Sequence, residues 1–333
     1  MATIKDLQTD RHSRIMSVGV YRPKREVPNS EVIAAIDSSD EWIKERSGIH
    51  SRRIAGDDET VVSMSVAAAT TALKRAGITA EQLGAVICAT VTYPFQTPSA
   101  ATDIALQLGA PKVPAFDISA ACAGFCYGVG LASDMVRGGS ADYVLLVGVE
   151  KLSDFTDPTD RGTAFIFADG AGAVIIGPSD KPGIGPTIWG SDATAREAIM
   201  MEPSWVDLRK SDSHSWPDIK MQGQIVFRWA VYQMAPVALD ALQAAGITAQ
   251  ELDAFIPHQA NERIIDAMAK AMNLPEGVAI ARDIRTSGNT SAASIPLAMD
   301  ALYQEGAVNS GDTALLIGFG AGLVYAAQVV QLP

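Results

Sequence analysis

The stretch LKRAGITAEQLGAVI (residues 73–87) returns almost unchanged as LQAAGITAQELDAFI (242–256). Gly77 matches Gly246, 169 residues on, and ADYVLLVGVE (141–150) returns as GDTALLIGFG (311–320), 170 residues on. Two matches in the same order at nearly the same separation mark a duplicated domain rather than a short-repeat solenoid. Each copy reads as an Ala- and Leu-rich helix closed by a glycine C-cap, Gly77 or Gly246, because a left-handed residue is needed there. A short acidic linker follows, then an apolar strand, AVICAT or AFIPH. Further on come a second helix, a second apolar strand (YVLLVG or ALLIG) and a glycine-rich turn into a third (GAGAVIIG or GLVYAAQVV). Apolar strands alternating with helices imply sheets covered on both faces. Two such halves, 1–185 and 186–333, are expected to fuse about a pseudo-twofold axis in stacked helix and sheet layers. Their boundary falls in the turn-rich PSDKPGIGP near residues 180–190. Residues 193–222, with Trp205 and Trp216, have no counterpart in the first half and read either as an insertion near a site or as a surface loop.

The 333 residues are 48% hydrophobic and 19% charged, the balance of a compact globular chain. A formal net charge of −12 argues against broad binding to nucleic acid or to anionic membranes, and leaves room for a small basic patch facing an acidic partner. Three cysteines, Cys88, Cys122 and Cys126, are too few for a disulfide framework, and a reducing cytoplasm is the expected setting. The N-terminal MATIKDLQTDRHSRIMSVG has charges where an export signal needs an apolar core. The longest uncharged run, TALLIGFGAGLVYAAQVV (313–330), has about the length of a membrane span, but its central glycines predict two buried strands joined by a turn.

The duplication also groups residues that chain distance separates. At a spacing of 169, Cys122 falls on Ser291 and Ala89 on His258, so Cys122, His258 and Asn289 are expected at equivalent strand-to-helix junctions that share one cavity. Cys122 follows the strand VPAFDISA and opens a helix, where exposed N–H groups and the macrodipole are expected to lower a thiol pKa. Cys126, one turn further along, and Cys88 read as core packing, and C-x3-C without further ligands carries no metal site. His12, His50 and His214 sit in polar surroundings and read as surface residues, whereas His258 ends an apolar strand. Asn289, in SGNTSAAS, reads as a turn residue and helix cap, and beside His258 also as a fixed amide donor. Cys, His and Asn together suggest acyl chemistry through a covalent thioester. The run GFGAG (318–322) would supply a backbone N–H where side chains would obstruct.

On these residues the chain resembles the β-ketoacyl-acyl carrier protein synthase III family, the initiating condensing enzymes of dissociated fatty-acid synthesis. SSDEWIKERSGI (38–49), SAACAGF (119–125), the Asp-Arg-Gly preceding FIFADGAGAV, PHQAN-x-RI (257–264) and GNTSAASIPLA (288–298) carry the likeness along nearly the whole chain. The resemblance implies an α/β, thiolase-like, internally duplicated fold, layered αβαβα, with two mixed sheets around central helices. It implies condensation of an acyl-CoA with malonyl-acyl carrier protein through a Cys122 acyl-enzyme, with no cofactor and no metal. Backbone N–H groups of Cys122, Gly320 and Ala321 would hold the oxyanion, and His258 with Asn289 would hold the enolate. By the same resemblance, Trp42 and Arg161 would sandwich the CoA adenine, Arg46 would meet its phosphates and Asn261 the pantetheine arm or a water. Arg228, Arg263 and Lys270 would face the acidic carrier protein. Thr97 stands where straight-chain-preferring members often carry Phe, implying branched or longer starters and a homodimer whose partner chain supplies that residue. A related synthase loading starters in a secondary-metabolite pathway is the alternative.

Overall fold

The computed structural model describes residues 10–211 and 216–333, so His214 and the first part of the N-terminal segment lie outside the described residues. In the first half, β1 (His12–Tyr21) leads into a small hairpin of β2 (Arg25–Pro28) and β3 (Ser51–Ile54), which encloses α1 (Asn29–Val32) and α2 (Asp40–Ser47). Then come α3 (Val61–Ala76), β4 (Ala85–Ala89), α4 (Ala100–Gln107), β5 (Ala115–Ile118), α5 (Gly124–Arg137), β6 (Val144–Lys151) and β7 (Asp169–Ser179). The second half holds β8 (Ile188–Ser191), β9 (Ile199–Glu202), α6 (Trp205–Lys210), β10 (Asp218–Met221), α7 (Gly223–Ala245) and β11 (Ala254–Pro257). It closes with α8 (Glu262–Ala271), β12 (Ala279–Ile280), α9 (Ile284–Ser287), α10 (Ser294–Gln304), β13 (Thr313–Gly320) and β14 (Val324–Gln331).

Two five-stranded mixed sheets result, ordered β1-β7-β6-β4-β5 and β12-β11-β13-β14-β8. In the first, β4 runs parallel to β5 and β6, and β7 runs antiparallel to β6 and β1. In the second, β11 runs parallel to β12 and β13, and β14 runs antiparallel to β13 and β8. The run 313–330 is thus a pair of antiparallel strands, and among the described residues no helix is long and apolar enough to cross a membrane.

Helices α5 and α10 pack between the sheets, α3 and α4 cover the far face of the first, and α7 with α8 cover the far face of the second. The chain therefore stacks as helix, sheet, helix, sheet, helix. The middle core joins Phe125, Cys126 and Val129 of α5 to Ile295, Ala298 and Met299 of α10. Cys88 belongs to the outer core under α3 and α4. The other outer core, under α7 and α8, also takes in Ile36, Ile43 and Phe165 from the first half. That exchange carries α2 and the 161–167 turn over to the second half.

The repeated motif explains its own geometry. Helices α3 and α7 both stop at a left-handed glycine, Gly77 (φ +70) and Gly246 (φ +73), a conformation that costs glycine little. The acidic linker behind each forms a 3-10 turn closed by a capping box. Thr79 N–H donates to Gln82 Oε1 at 3.0 Å, and Thr248 N–H donates to Glu251 Oε2 at 2.8 Å.

A constant spacing, however, misplaces one equivalence. The turn Ala121–Ala123 matches Ser291–Ala293, with left-handed backbone at Ala121 (φ 43) and Ser291 (φ 48). Cys122 therefore corresponds to Ala292 and not to Ser291. The halves drift because two length differences nearly cancel: α9 lengthens the passage from β12 to the second turn, while the passage from β11 to β12 is shorter than that from β4 to β5.

Candidate active site

A cavity of about 950 Å³ opens where the two halves meet, and Cys122, His258 and Asn289 all line it. Cys122 arrives there on a sharp bend. The left-handed Ala121 turns the chain leaving β5, and Cys122 sits in the 3-10 turn that precedes α5. A left-handed alanine is strained, and such strain persists only where the surroundings hold it in place. Here the end of β13 does so, and the close fit requires glycine. A Cβ on Gly318 would lie 2.9 Å from Ala123 Cα, and one on Gly320 would lie 2.9 Å from Cys122 Sγ.

His258 follows β11 and is buried, its own N–H donating to Ile317 O at 2.7 Å. Its Nδ1 lies 2.7 Å from Ser294 Oγ, at the first turn of α10. Ser294 Oγ already accepts from Gln259 N–H at 3.4 Å. We assign the Ser294 hydroxyl proton to the bond with Nδ1, which places the imidazole proton on Nε2. Burial pushes the His258 pKa down to about 3, so the ring is neutral. Asn289 Oδ1 accepts from Ser291 N–H at 2.9 Å. With the oxygen committed, the amide presents its NH2 group as the free end. Two neutral donors, one imidazole and one amide, therefore border the same cavity.

The Cys122 thiol departs from the sequence-based expectation. Burial raises its pKa from the ordinary 9.0 to about 12, against the pull of hydrogen bonds from Ser291 and from its own N–H, and the charge of Glu150 adds to the rise. A helix start lowers a thiol pKa where solvent still reaches it. At 9% exposure, and with a 3-10 turn in front of the helix proper, desolvation wins. The resting group is a thiol. Cys126 and Cys88 are fully buried, with burial also pushing their pKa values up.

The other expected residues divide by position. Trp42, Arg46, Arg161, Asn261, Arg228, Arg263, Gly320 and Ala321 line the same cavity as Cys122. The Arg161 and Arg46 guanidinium carbons lie 5.0 and 5.8 Å from the centre of the Trp42 ring. Asn261 caps α8 by accepting from Arg263 N–H at 2.9 Å, and its Nδ2 donates to Arg46 O at 2.8 Å. Lys270 is exposed two turns along α8 from Arg263, outside the cavity, and Thr97 is exposed beside α4, also outside it. Among the described residues no group of His, Cys, Asp and Glu is placed to hold a metal ion.

Two features escaped the sequence reading, Ser294 and Glu150, and a third was left between two alternatives. Of the two readings of 193–222, the insertion near a site holds for its described strands β9 and β10, which contribute Ile199, Met201, Ile219 and Met221 to the cavity wall. Ser294 is hidden among the small residues of a helix start. Glu150 is fully buried at the end of β6, and as the lone carboxylate in VLLVGVE it was a legible signal.

Comparison with known proteins agrees with this fold. Residues 116–193 match the family described as 3-Oxoacyl-[acyl-carrier-protein (ACP)] synthase III, and residues 242–332 match its C-terminal domain. The chain is 59% identical over 333 residues, with 100% of both chains covered, to a β-ketoacyl-[acyl-carrier-protein] synthase III of Streptomyces glaucescens. Among solved structures, the priming β-ketosynthase of the R1128 polyketide biosynthetic pathway superposes with a TM-score of 0.97 at 47% identity, covering 100% of this chain and 99% of that one. A 3-oxoacyl-[acyl-carrier-protein] synthase III from Aquifex aeolicus VF5 gives 0.88 at 39%, covering 96% and 99%. With its thiolase-type layers, its duplicated halves and a full-length match to these proteins, the chain belongs to the β-ketoacyl-[acyl-carrier-protein] synthase III family of acyl-transferring condensing enzymes.

Proposed function

We propose that this protein condenses an acyl-CoA starter with malonyl-acyl carrier protein through an acyl-enzyme on Cys122, releasing CoA and CO2. The observation that carries the reading is the meeting of Cys122, His258 and Asn289 on one cavity whose two neutral donors are held by their neighbours. Cys122 Sγ attacks the starter thioester, and backbone N–H groups at Cys122 and the Gly320–Ala321 turn stabilise the oxyanion. CoA leaves. Malonyl thioester then enters and loses CO2, and its electrons move into the thioester carbonyl. The enolate oxygen is held by His258 Nε2–H and the Asn289 amide, and the enolate carbon attacks the acyl-cysteine. A charged imidazole is not required, in keeping with the burial of His258.

Trp42, Arg46 and Arg161 at the mouth suit the nucleotide end of CoA, and Asn261 the pantetheine arm. Arg228, Arg263 and Lys270 give the acidic chain a local positive face for a carrier protein. The apolar wall, including Phe167, Ile199 and Met201, suits an acyl chain, and Thr97 in place of Phe favours branched or longer starters. A homodimer is supported by the open edge of β5, around which Phe95, Leu106 and Phe116 are exposed. An uncovered strand edge with large apolar neighbours invites a second copy. The priming synthase of the R1128 pathway, a structural neighbour at 47% identity, favours starter loading for polyketide assembly as the second reading.

The test is intact-protein mass spectrometry after incubation with a panel of acyl-CoAs, coupled to release of labelled CO2 from malonyl-carrier protein. An adduct that disappears in Cys122→Ala, followed by CO2 release and a 3-oxoacyl product, supports the reading. Acyl transfer without decarboxylation would sink it.

A further inference from the structure

We propose that Glu150, acting through Ser291, accepts the thiol proton of Cys122 during acylation and returns it to the sulfur when the acyl group departs. This rests on the Cys122 acyl-enzyme reading above. A buried thiol needs a proton acceptor at the moment of attack, and the cavity offers few. His258 already carries its proton on Nε2 and would become a buried imidazolium if it took another.

A hydrogen-bonded chain leads away from the sulfur on the other side. Cys122 and Ser291 sit in the matching 3-10 turns of the two halves and line the same cavity, where the Ser291 side chain acts on the thiol as a hydrogen-bonding neighbour. Ser291 Oγ donates its one proton to Glu150 Oε1 at 3.2 Å, which leaves its lone pairs as acceptors for the thiol proton. The other partners of the Glu150 carboxylate are all neutral. Val91 N–H donates to its two oxygens at 3.1 and 3.3 Å, Thr90 Oγ1 donates to Oε2 at 3.2 Å and Thr92 Oγ1 donates to Oε2 at 2.6 Å. Among the described residues, Cys122 on the turn and Cys88 on β4 feel its charge. No cation among the described residues pairs with it, and a fully buried carboxylate held by neutral donors is poised to gain a proton. Burial raises its pKa from 4.5 to about 7, against the opposing pull of those hydrogen bonds.

The steps balance. In acylation the sulfur–carbon bond to the starter forms and the bond from that carbon to the CoA sulfur breaks. The Cys122 proton moves to Ser291 as the Ser291 proton moves to Glu150, and CoA leaves as a thiolate that water protonates at the mouth. In condensation the enolate carbon bonds to the acyl carbon, the bond to Cys122 Sγ breaks, and the stored proton returns along the same path. One proton is taken from water for each turnover.

Rapid-quench mass spectrometry of acyl-adduct formation, across pH of about 5.5 to 9, compares the wild type with Glu150→Gln, Glu150→Asp and Ser291→Ala. The wild-type rate is expected to rise with pH through an inflection near 7. Glu150→Gln and Ser291→Ala are expected to slow acylation by about 100-fold, the range of general-base catalysis, and to lose that inflection. Glu150→Asp is expected to be slower than wild type but to keep an inflection. Ser291→Ala keeps its backbone, because Ala121 holds the same left-handed conformation in the other half, so it decides alone should Glu150→Gln fail to fold. Wild-type rates in either variant, or slowed rates with the inflection retained, overturn the proposal. Absence of any adduct in the wild type would instead overturn the Cys122 reading on which it rests.

Discussion

Gly320 lies so close to Cys122 that a Cβ at Gly320 would come within 2.8 Å of the Cys122 Cβ and 2.9 Å of its Sγ. Its φ of −178° is extended and open to any residue, so glycine is required by space alone. Overpacking of this kind costs about 1–3 kcal/mol. In Gly320→Ala the sulfur must shift, and the first-turnover rate of acylation by acyl-CoA should fall by about tenfold to hundredfold. A wild-type acylation rate would show that the sulfur position is not critical.

His258 and its anchor separate the two half-reactions. Ser294→Ala removes the partner of Nδ1 and frees the ring and its tautomer. Labelled CO2 release from malonyl-carrier protein should fall by about tenfold, on the scale of one lost buried hydrogen bond. His258→Ala should lose about 100-fold or more, as for an oxyanion donor, while still forming the acyl adduct. Equal damage to acylation and decarboxylation would argue that His258 serves both.

Buried titratable groups predict opposite pH trends in stability. Glu150 has its pKa raised in the folded state from 4.5 to about 7, chiefly by burial, so its contribution is fully present below 4.5 and is lost as pH rises through 7. Glu150→Gln should therefore gain melting temperature relative to wild type between pH 5 and pH 8, by an amount corresponding to at most about 3 kcal/mol. His258 has its pKa lowered by burial from 6.5 to about 3, so wild-type stability falls as pH drops through 6.5 toward 3. His258→Asn, which cannot titrate, should become relatively more stable over that acid range. Thermal melts at several pH values check both signs.

Trp42 and Arg161 test the mouth. With the Arg161 guanidinium 5.0 Å from the ring centre, an adenine meeting this pair would gain stacking and cation–π attraction. Trp42→Ala should raise KM for acyl-CoA by about tenfold. It should leave acylation by a truncated acyl thioester without the nucleotide unaffected. Equal losses with both donors would mean that Trp42 acts through the packing of α2.

Much of this was legible along the chain. The GIT repeat gave both helix ends, the strands behind them and the duplication, because helix stops and buried strands depend on local residue types. Cys122, His258 and Asn289 could be grouped because duplication converts a chain distance into an equivalence of position. The equivalence slipped by one at Ser291, since α9 lengthens one connection, the passage before β12 is shortened, and a fixed spacing cannot follow two opposite changes. The 193–222 segment carried no periodic signal, and only the pairing of β9 with β10 puts its Ile and Met side chains on the cavity.

The sequence by itself determined the architecture and the identity of the chemical groups, because both follow from local propensity and from a pattern written twice. Tertiary structure alone decided their ionisation. A thiol expected to be activated by a helix start is held protonated by burial, a histidine is held neutral, and a carboxylate at the end of β6 lies within reach of the sulfur through one hydroxyl. Desolvation depends on what the whole fold places around a group, and no stretch of sequence contains that information.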